Sequence, residues 1–499
     1  MATNNITISS FQWGLANDIN AWQEWAFWNS SNIEYRKNSS YIELAKWSAS
    51  AFTVSSSSAG IPVALAFWKS WSTIPTDLLA FTNTGKIVAS TGTSYTLASG
   101  SIVNIAEANN KKYLIWTSRL HEFINNTTVT ENVVVFTKSN STRPVLNFYG
   151  DLIIWDWTSI CRYNKDGSFY EDATASTESP ILRWLDGTIT SITQVWPNIY
   201  VWCNNGNNTN MYIWDGLSSR PTQKVTYNDI PVKNVALLWN KHYWWSAKSD
   251  FSIRQVLVGE SYAPQVYIKS DFPENDLIVW KDSQKNRMII ASKWDSYINA
   301  IETVNDIIML PWIGRVYWFG KYFPWHKFSF SNDFTLTGTN ITAMASWGMT
   351  TGWRDAGWFL AVSIENWSNY DVNLINLWQS WVAWLWVIYA TSGWIESMEY
   401  IAPSYADWEN SKKILLSYEI PSANQSIKVY VKYDRESSYT QIKEITSADG
   451  TGYKTIEISD IGKWRTKQLK FELITTDSSV SPKLYVPIIN LQETVWNRT

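Results

Sequence analysis

The chain has 499 residues, more than one hydrophobic core usually serves, so two or three domains are expected. Only 17% of the residues are charged and the net charge is −3, which excludes the basic character typical of a nucleic-acid-binding protein. The N-terminus lacks the basic and apolar regions of a secretory signal, and the longest apolar run, residues 381–390, is too short to span a membrane.

The pattern of the chain predicts an all-β protein. Short runs rich in Val, Ile, Tyr, Phe and Thr alternate with clusters of Asn, Ser, Asp and Gly. No stretch of about 12 or more residues has the apolar stripe and capping residues of a helix. Residues 1–55 are rich in Asn and Ser and predict a partly extended N-terminal arm.

Residues 56–395 contain a repeated unit of polar turn, apolar strand, short turn and second strand. Its copies are centred on Leu79, Leu114, Ile153, Tyr200, Tyr243, Ile289, Tyr317 and Phe359. Most intervals fall between 35 and 47 residues, which predicts a β-propeller of about seven blades. The interval of 28 residues before Tyr317 is too short, so two of the units are candidates for hairpins of one blade. A meandering β-sandwich or barrel array with the same hairpins is the alternative.

Residues 396–499 predict a separate antiparallel β-sandwich, because their strands are longer, more charged and more regular. In the segment SIKVYVKYD, Ile427, Val429 and Val431 point to one face of the strand. Lys428 and its alternating neighbours point to the other face, as expected for a strand with one buried side.

The residues that usually carry chemistry form no recognisable motif. Cys161 and Cys203 match no metal or redox spacing, which predicts buried small apolar side chains. His121, His242 and His326 each lie in or beside a predicted strand without a second histidine at metal spacing, which predicts structural roles. A nucleophile elbow and a phosphate-binding glycine loop are also missing, so we predict no catalytic, cofactor-binding or metal-binding residue.

The segment RYNKDGSFYED is similar to a calcium loop at Asn164, Asp166 and Gly167. However, Arg162 and Ala173 occupy positions where that loop needs acidic ligands. The letters NKDG therefore predict a four-residue hairpin turn.

Two further patterns involve acidic residues in loops. Asp271, Glu274 and Asp276 are candidates for an ion site or a carboxylate pair, although acidic loop residues are usually solvated. Residues 249–251, 270–272 and 331–334 resemble the aspartate boxes of sialidase-type propellers, but the Gly, Thr and Trp that complete such a box do not follow in register. This weakens a glycosidase interpretation.

The chain has 34 tryptophans but only 21 glycines, although turns need the positive φ angles that glycine adopts. Residues 376–394 contain five of them: Trp378, Trp381, Trp384, Trp386 and Trp394. Exposed indoles would suit sugar stacking. A membrane-surface helix is a poor explanation because residues 376–394 contain no Lys or Arg.

Glycine misread as tryptophan is the explanation that we favour. Many tryptophans stand beside Asn, Asp, Ser, Pro or Gly, as in LRWLDG and IENWSNYD, where turns usually have glycine. We hypothesise that the source reads UGA as glycine, as some uncultivated bacteria and their phages do, and that these codons were translated as tryptophan. Trp116, Trp202 and Trp318 lie centrally in predicted strands and are expected to be authentic.

With tryptophan read as glycine in turns, the chain resembles a group of phage virion proteins. The similar residues are Gly14-Leu15, Asn32-Ile33-Glu34, Tyr41-Ile42-Glu43-Leu44, the blade strand at Tyr113, Trp116, Ser118, Arg119, Leu120 and His121, and the final SPKLYVPIINLQE. The resemblance implies a propeller-bearing structural protein of the tail or neck, assembled in the host cytoplasm. It brings no catalytic residues or cofactors.

We therefore expect a non-enzymatic virion component whose partners are other virion subunits, including further copies of itself, and neither nucleic acid nor membrane. The alternative is a carbohydrate-binding or glycoside-cleaving β-propeller with exposed tryptophans at one mouth. A host-encoded propeller scaffold that binds other proteins is a third possibility. Neighbouring portal, capsid and tape-measure genes would distinguish the first from the other two.

Overall fold

The structure is a computed structural model. It describes residues 5–7, 27–34, 41–47, 50–67, 78–98, 100–109, 111–125, 127–140, 143–156, 159–171, 182–183, 185–195, 197–227, 232–238, 241–246, 253–257, 267–268, 279–281, 287–289, 302–304, 307–312, 315–320, 329–351, 354–379, 388–397, 400–401, 409–434, 436–459, 463–464, 466–485 and 488–492. Between residues 232 and 335 the description covers the backbone.

The N-terminal part forms six strands and one short helix. These are β1 (Asn5–Thr7), β2 (Phe27–Ser31), β3 (Ile33–Glu34), β4 (Tyr41–Leu44), β5 (Lys46–Trp47), β6 (Ser50–Ser55) and α1 (Ser56–Ala59). Asn32 has a φ of 54° between β2 and β3, a conformation that asparagine tolerates better than most residues.

Four blades follow, each a four-stranded antiparallel sheet in which every strand pairs with the next along the chain. Blade one has β7 (Pro62–Phe67), β8 (Leu78–Thr82), β9 (Lys86–Ala89) and β10 (Gly92–Thr96), and blade two has β11 (Ile102–Ala108), β12 (Lys111–Trp116), β13 (Arg119–Asn125) and β14 (Thr128–Val135). Blade three has β15 (Val145–Phe148), β16 (Asp151–Asp156), β17 (Ser159–Tyr163) and β18 (Phe169–Tyr170), and blade four has β19 (Thr188–Val195), β20 (Asn198–Asn205), β21 (Asn208–Trp214) and β22 (Gln223–Tyr227).

Three more four-stranded sheets complete the propeller. Blade five has β23 (Val232–Leu238), β24 (Lys241–Ser246), β25 (Ile253–Leu257) and β26 (Tyr267–Ile268), and a separate two-stranded pair consists of β27 (Val279–Lys281) and β28 (Arg287–Ile289). Blade six has β29 (Glu302–Val304), β30 (Ile307–Trp312), β31 (Arg315–Gly320) and β32 (Ser329–Thr335). Blade seven has β33 (Ile341–Thr351), β34 (Arg354–Asn366) and β35 (Asn369–Gln379), with β6 as its fourth strand.

The first strands of the seven blades form a closed ring. Within the described residues, β7, β11, β15, β19, β23, β29 and β33 each contact the next, and β33 contacts β7. The outermost strand of blade seven is β6, whose Val54 lies opposite Tyr370 of β35. A strand from the N-terminal side therefore completes the last blade, and the predicted β-propeller of about seven blades is confirmed.

The second strand of a blade is buried on both of its faces. All residues of β8 are buried, and so are most residues of β16 and β20. Neighbouring blades cover both sides of such a strand, which explains why its sequence is almost continuously apolar rather than alternating. Val54, Leu65, Leu78 and Val372 form one shared core between blades seven and one, and this core seals the ring.

Beyond the propeller, the chain forms two antiparallel sheets. A separate two-stranded pair joins β36 (Ile388–Tyr389) to β5. The C-terminal strands of the two sheets are β37 (Ser392–Ser397), β38 (Tyr400–Ile401), β39 (Glu409–Ile420), β40 (Gln425–Tyr433), β41 (Thr440–Ile445), β42 (Gly452–Ser459), β43 (Lys463–Trp464), β44 (Thr466–Thr475), β45 (Lys483–Tyr485) and β46 (Ile488–Gln492), with a 3-10 turn at Ser447–Asp449. One sheet has the order β2-β37-β44-β40-β41, with β38 beside β44. The other has the order β1-β46-β39-β45-β4-β3, with β42 and β43 beside β39.

The segment predicted as an N-terminal arm thus supplies strands to four sheets. β1, β3 and β4 join the eight-stranded sheet, β2 joins the six-stranded sheet, β5 pairs with β36, and β6 joins blade seven. The predicted alternation in β40 is confirmed, because Ile427, Val429 and Val431 are buried while Lys428 and Tyr430 are partly exposed. Face-to-face packing of the two sheets as a sandwich stays a prediction.

Candidate protein-interaction surface

His121 belongs to the core of blade two. It lies on β13 and is fully buried, and its Nδ1 accepts a hydrogen bond from the Asn132 backbone N–H at 3.1 Å. Its ring centroid lies 4.3 Å from that of Trp116. Burial lowers the pKa of His121 to about 4, because the charged ring would lose its hydration, and the nearby Glu131 opposes this shift only in part. A neutral histidine at this position packs like an aromatic core residue.

The other two histidines and the predicted acidic group have no described side chains. His242 lies on β24, opposite Leu237, and the description there covers the backbone. His326 and the acidic group Asp271, Glu274 and Asp276 lie outside the described residues.

The two cysteines are free and fully buried, as predicted. Cys161 lies on β17 opposite Ile154, and Cys203 lies on β20. Burial raises the pKa of both thiols, since the thiolate would be poorly solvated inside a blade. Both side chains therefore serve as small apolar core groups.

The predicted NKDG hairpin turn is present between β17 and β18. Asn164 donates its backbone N–H to the Ser168 carbonyl at 2.9 Å, and Gly167 donates to the Asn164 carbonyl at 2.9 Å. The Asp166 carboxylate accepts bonds from the Ser168 N–H and hydroxyl, which lowers the pKa of Asp166. The acid therefore stabilises the turn.

The tryptophans with described side chains occupy three kinds of environment. Trp116, Trp155, Trp202 and Trp214 are buried in the blades. Trp394 is half-buried on β37, where the Lys470 ammonium lies 4.5 Å from its ring centroid. Trp367 is 96% exposed and has a φ of 58° in the turn between β34 and β35.

These environments bear on which tryptophans are authentic and which are misread glycines. Trp116 and Trp202 fill core space that glycine would leave empty, whereas Trp367 fills none and has a backbone angle that favours glycine. Trp378 and Trp394 lie in strands β35 and β37 rather than in turns. Trp381, Trp384 and Trp386 lie outside the described residues.

Two exposed apolar side chains mark one end of the propeller. Tyr149 is 63% exposed in the turn between β15 and β16, and Leu217 is 72% exposed in the connection between β21 and β22. Antiparallel strand order places both connections at the same end of the ring. A Cβ on Gly216 would lie 2.6 Å from the Phe148 ring, so the loop of Leu217 touches the residue before Tyr149. We call Tyr149 and Leu217, whose loops meet at the buried Phe148, the turn-end patch.

The Tyr149 side of this patch is fixed by hydrogen bonds to a neighbouring blade. Asn109 of blade two donates through Nδ2 to the Gly150 carbonyl at 2.7 Å. Asn147 accepts the Gly150 N–H at 3.0 Å, and donates through Nδ2 to the Glu107 carbonyl at 2.8 Å. The turn therefore has little freedom to lose when a partner binds.

The Leu217 side is fixed by charged groups. Arg162 of blade three donates through Nη1 to the Gly216 carbonyl at 2.9 Å, and its guanidinium pairs with Asp151 at 2.8 Å. Asp215 accepts the backbone N–H of Leu217 at 2.8 Å. The patch is thus a rigid apolar surface shared by two blades. Sequence reasoning missed it, although the Tyr-Gly and Asp-Gly pairs signalled both turns.

Sequence reasoning also missed a buried ion pair at the opposite end of blades two and three. The Arg143 side chain is fully buried and pairs with Asp156 at 3.2 Å. It donates to the carbonyls of Trp155 at 2.8 Å and Thr117 at 3.0 Å, and it lies over the Phe136 ring at 3.9 Å. This network joins the two blades.

The described ranges contain neither a cluster of metal ligands nor a membrane-spanning helix. No three His, Cys, Asp or Glu side chains in these ranges come together in an arrangement suited to a metal ion. No helix within them is long and apolar enough to cross a bilayer.

Comparisons with known proteins concern the fold. No protein-family model matches the chain, and no curated protein sequence matches it. BBS1N in complex with ARL6DN is 11% identical with a TM-score of 0.41, over 66% of this chain and 98% of that one. The Cps50 (Swd1) β-propeller domain of Myceliophteria thermophila is 9% identical with a TM-score of 0.38, over 65% and 99%. An exo-β-1,3-galactanase from Phanerochaete chrysosporium is 9% identical with a TM-score of 0.27, over 79% and 97%. Similarities of this size carry no argument about function.

Proposed function

We propose that this protein is a structural component of a phage or prophage virion, in the tail or neck, and that it acts through protein-protein contacts. The resemblance to virion proteins at residues 111–123 supports the class of protein. Those residues form β12 and β13, whose Leu120 and His121 are buried in blade two. The proposal includes no catalytic residue and no cofactor.

The turn-end patch is the observation that carries the assembly role. Tyr149 and Leu217 expose 63% and 72% of their surfaces on loops fixed by hydrogen bonds. Rigid exposed tyrosine and leucine side chains lose little entropy on binding and gain from being covered by a partner. The expected partners are other virion subunits, including further copies of this chain.

Co-expression with the products of the flanking genes tests this role. We expect portal, capsid or tape-measure genes among them, and at least one product that co-purifies with the wild-type chain. The double variant Tyr149→Ala, Leu217→Ala should lose that partner. The variant Tyr453→Ala, which changes a similarly exposed tyrosine outside the propeller, should retain it. Flanking genes of sugar metabolism and no co-purifying product would contradict the proposal.

The alternative, a carbohydrate-binding or glycoside-cleaving propeller, needs exposed aromatic rings at a propeller mouth. Among the tryptophans with described side chains, Trp116, Trp155, Trp202 and Trp214 are buried in the blades and unable to stack on a sugar. Trp367 is exposed in a turn of blade seven, but a single indole does not make a platform. The described part of the propeller therefore favours assembly contacts over a tryptophan platform.

A further inference from the structure

The outer face of the eight-stranded sheet gathers tyrosines and one ion pair from four strands. Tyr41 on β4 lies opposite Tyr485 on β45. Glu419 on β39 lies opposite both Lys483 on β45 and Tyr453 on β42. Because directly opposite residues in a sheet share a face, these side chains lie together. We call them the tyrosine face.

The three rings of the tyrosine face form a row that ends in an open ring. The Tyr485 centroid lies 5.5 Å from that of Tyr41 and 5.0 Å from that of Tyr453. The rings of Tyr453 and Tyr485 are nearly perpendicular, at 83°. Tyr453 is 60% exposed, so its position is set by a neighbour while much of its surface is free.

Fixed polar groups border this open ring. The Lys483 ammonium lies 3.0 Å from Glu419 Oε2, and the Tyr485 hydroxyl donates to the same oxygen at 3.1 Å. Lys483 also lies 5.2 Å from the centroid of Tyr41. Both members of the ion pair remain partly exposed, so a donor and an acceptor of fixed position are available beside Tyr453.

A pair of hydroxyl groups extends the same face. Ser417 and Thr455 lie opposite each other, with their side-chain oxygens 3.0 Å apart. They stand two residues from Glu419 and Tyr453, a distance of about 7 Å along the strands. An open aromatic surface is thus flanked by charged groups on one side and hydroxyls on another.

We propose that the tyrosine face binds a saccharide, with a sugar ring stacked on Tyr453 and its hydroxyls bonded to Glu419 and Lys483. A sugar has an apolar C–H surface edged by hydroxyls, which matches one open ring bordered by polar groups. A protein partner of similar affinity would need a larger apolar centre that excludes water. The inference does not rest on the assembly role, and it involves none of the tryptophans.

Saturation-transfer NMR with the full chain tests this site. The probes are methyl pyranosides of glucose, galactose, mannose and N-acetylglucosamine, with the corresponding β-linked disaccharides. We expect transfer to the ring C–H protons of at least one probe. Tyr453→Ala and Glu419→Gln should each weaken binding about tenfold or more. Tyr453→Phe keeps the ring and should bind like the wild type. Tyr149→Ala removes a tyrosine of matching exposure in the propeller and should have no effect.

Two results would overturn the inference. The first is a lack of transfer to every probe, including the case in which the face binds only a protein. The second is transfer that persists undiminished in Tyr453→Ala. If Tyr453→Ala fails to fold, the comparison of Glu419→Gln with Tyr453→Phe decides: weakened binding in the former alone supports the site, and equal binding in both overturns it.

Discussion

Replacing Trp367 with glycine is the sharpest test of the tryptophan hypothesis within the folded protein. Trp367 lies in the turn between β34 and β35, with a φ of 58° and 96% of its surface exposed. The left-handed region costs a residue with a Cβ about 1–2 kcal/mol, and a bulky residue is rarely found there. Glycine adopts that region without this cost.

The expected gain follows from opposing contributions. Glycine loses more backbone entropy on folding, which offsets about 0.5–1 kcal/mol of the relieved strain. Trp367 has almost no buried surface to lose. Trp367→Gly should therefore raise the free energy of unfolding of the propeller by up to about 1.5 kcal/mol, the relieved strain minus the entropy cost.

Urea unfolding of the full chain, followed by circular dichroism, measures this change. Trp202→Gly is the matched control, because Trp202 is fully buried in blade four and its loss should cost at least about 3–5 kcal/mol. If Trp367→Gly lowers the free energy of unfolding by 1 kcal/mol or more, Trp367 makes interactions that the structure does not contain, and the reasoning is refuted.

Three further predictions concern the propeller. Arg143→Ala leaves the buried Asp156 carboxylate unpaired and should lower the free energy of unfolding by about 3–5 kcal/mol; a loss below 1 kcal/mol in urea would show that the pair is dispensable. Val54→Asp puts a charge into the core between blades seven and one, so limited proteolysis should cut the chain faster near β6, and unchanged protection would argue against closure by that strand. The pKa of His121 is lowered to about 4 when folded and is about 6.5 when unfolded, so the unfolded state takes up the proton first as pH falls. The free energy of unfolding should therefore fall by up to about 3 kcal/mol between pH 6.5 and 4, and His121→Asn should remove this pH dependence. An identical pH profile for both proteins would contradict this prediction.

The repeats were visible in the sequence because of how blades bury their second strands. β12, β16 and β20 are covered on both faces, so their apolar runs recur at the spacing of the blades. The same reasoning misplaced two units. The unit at Tyr317 is the third strand of blade six, and the unit at Ile289 belongs to the two-stranded pair β27–β28.

Pairing between distant segments could not be predicted in the same way. Alternation within β6 shows that the strand has an inner face, but it does not identify β35 as its neighbour. The same holds for β4, because Tyr41 lies opposite Tyr485 in the sheet although almost the whole sequence separates the two residues. The strands that belong to the predicted arm were therefore recognised only in the folded structure.

The candidate sites were hidden for a related reason. Tyr149 and Leu217 are single apolar residues in turns of two blades, and only the ring brings them to one end. Arg143 stands in a polar segment of the sequence, where burial is unexpected, and its partners come from three separate loops and strands. Residue type signalled chemistry at His121, Cys161 and Cys203, which serve as core residues in the described blades.

Tandem mass spectrometry of phage particles purified from the source culture tests the proposed virion role most directly. Peptides from blade two and from the C-terminal sheets are expected, in amounts comparable to those of other tail proteins. Peptides that span position 367 should contain glycine there. Particles that contain the products of the neighbouring genes but no peptide of this chain would contradict the virion role.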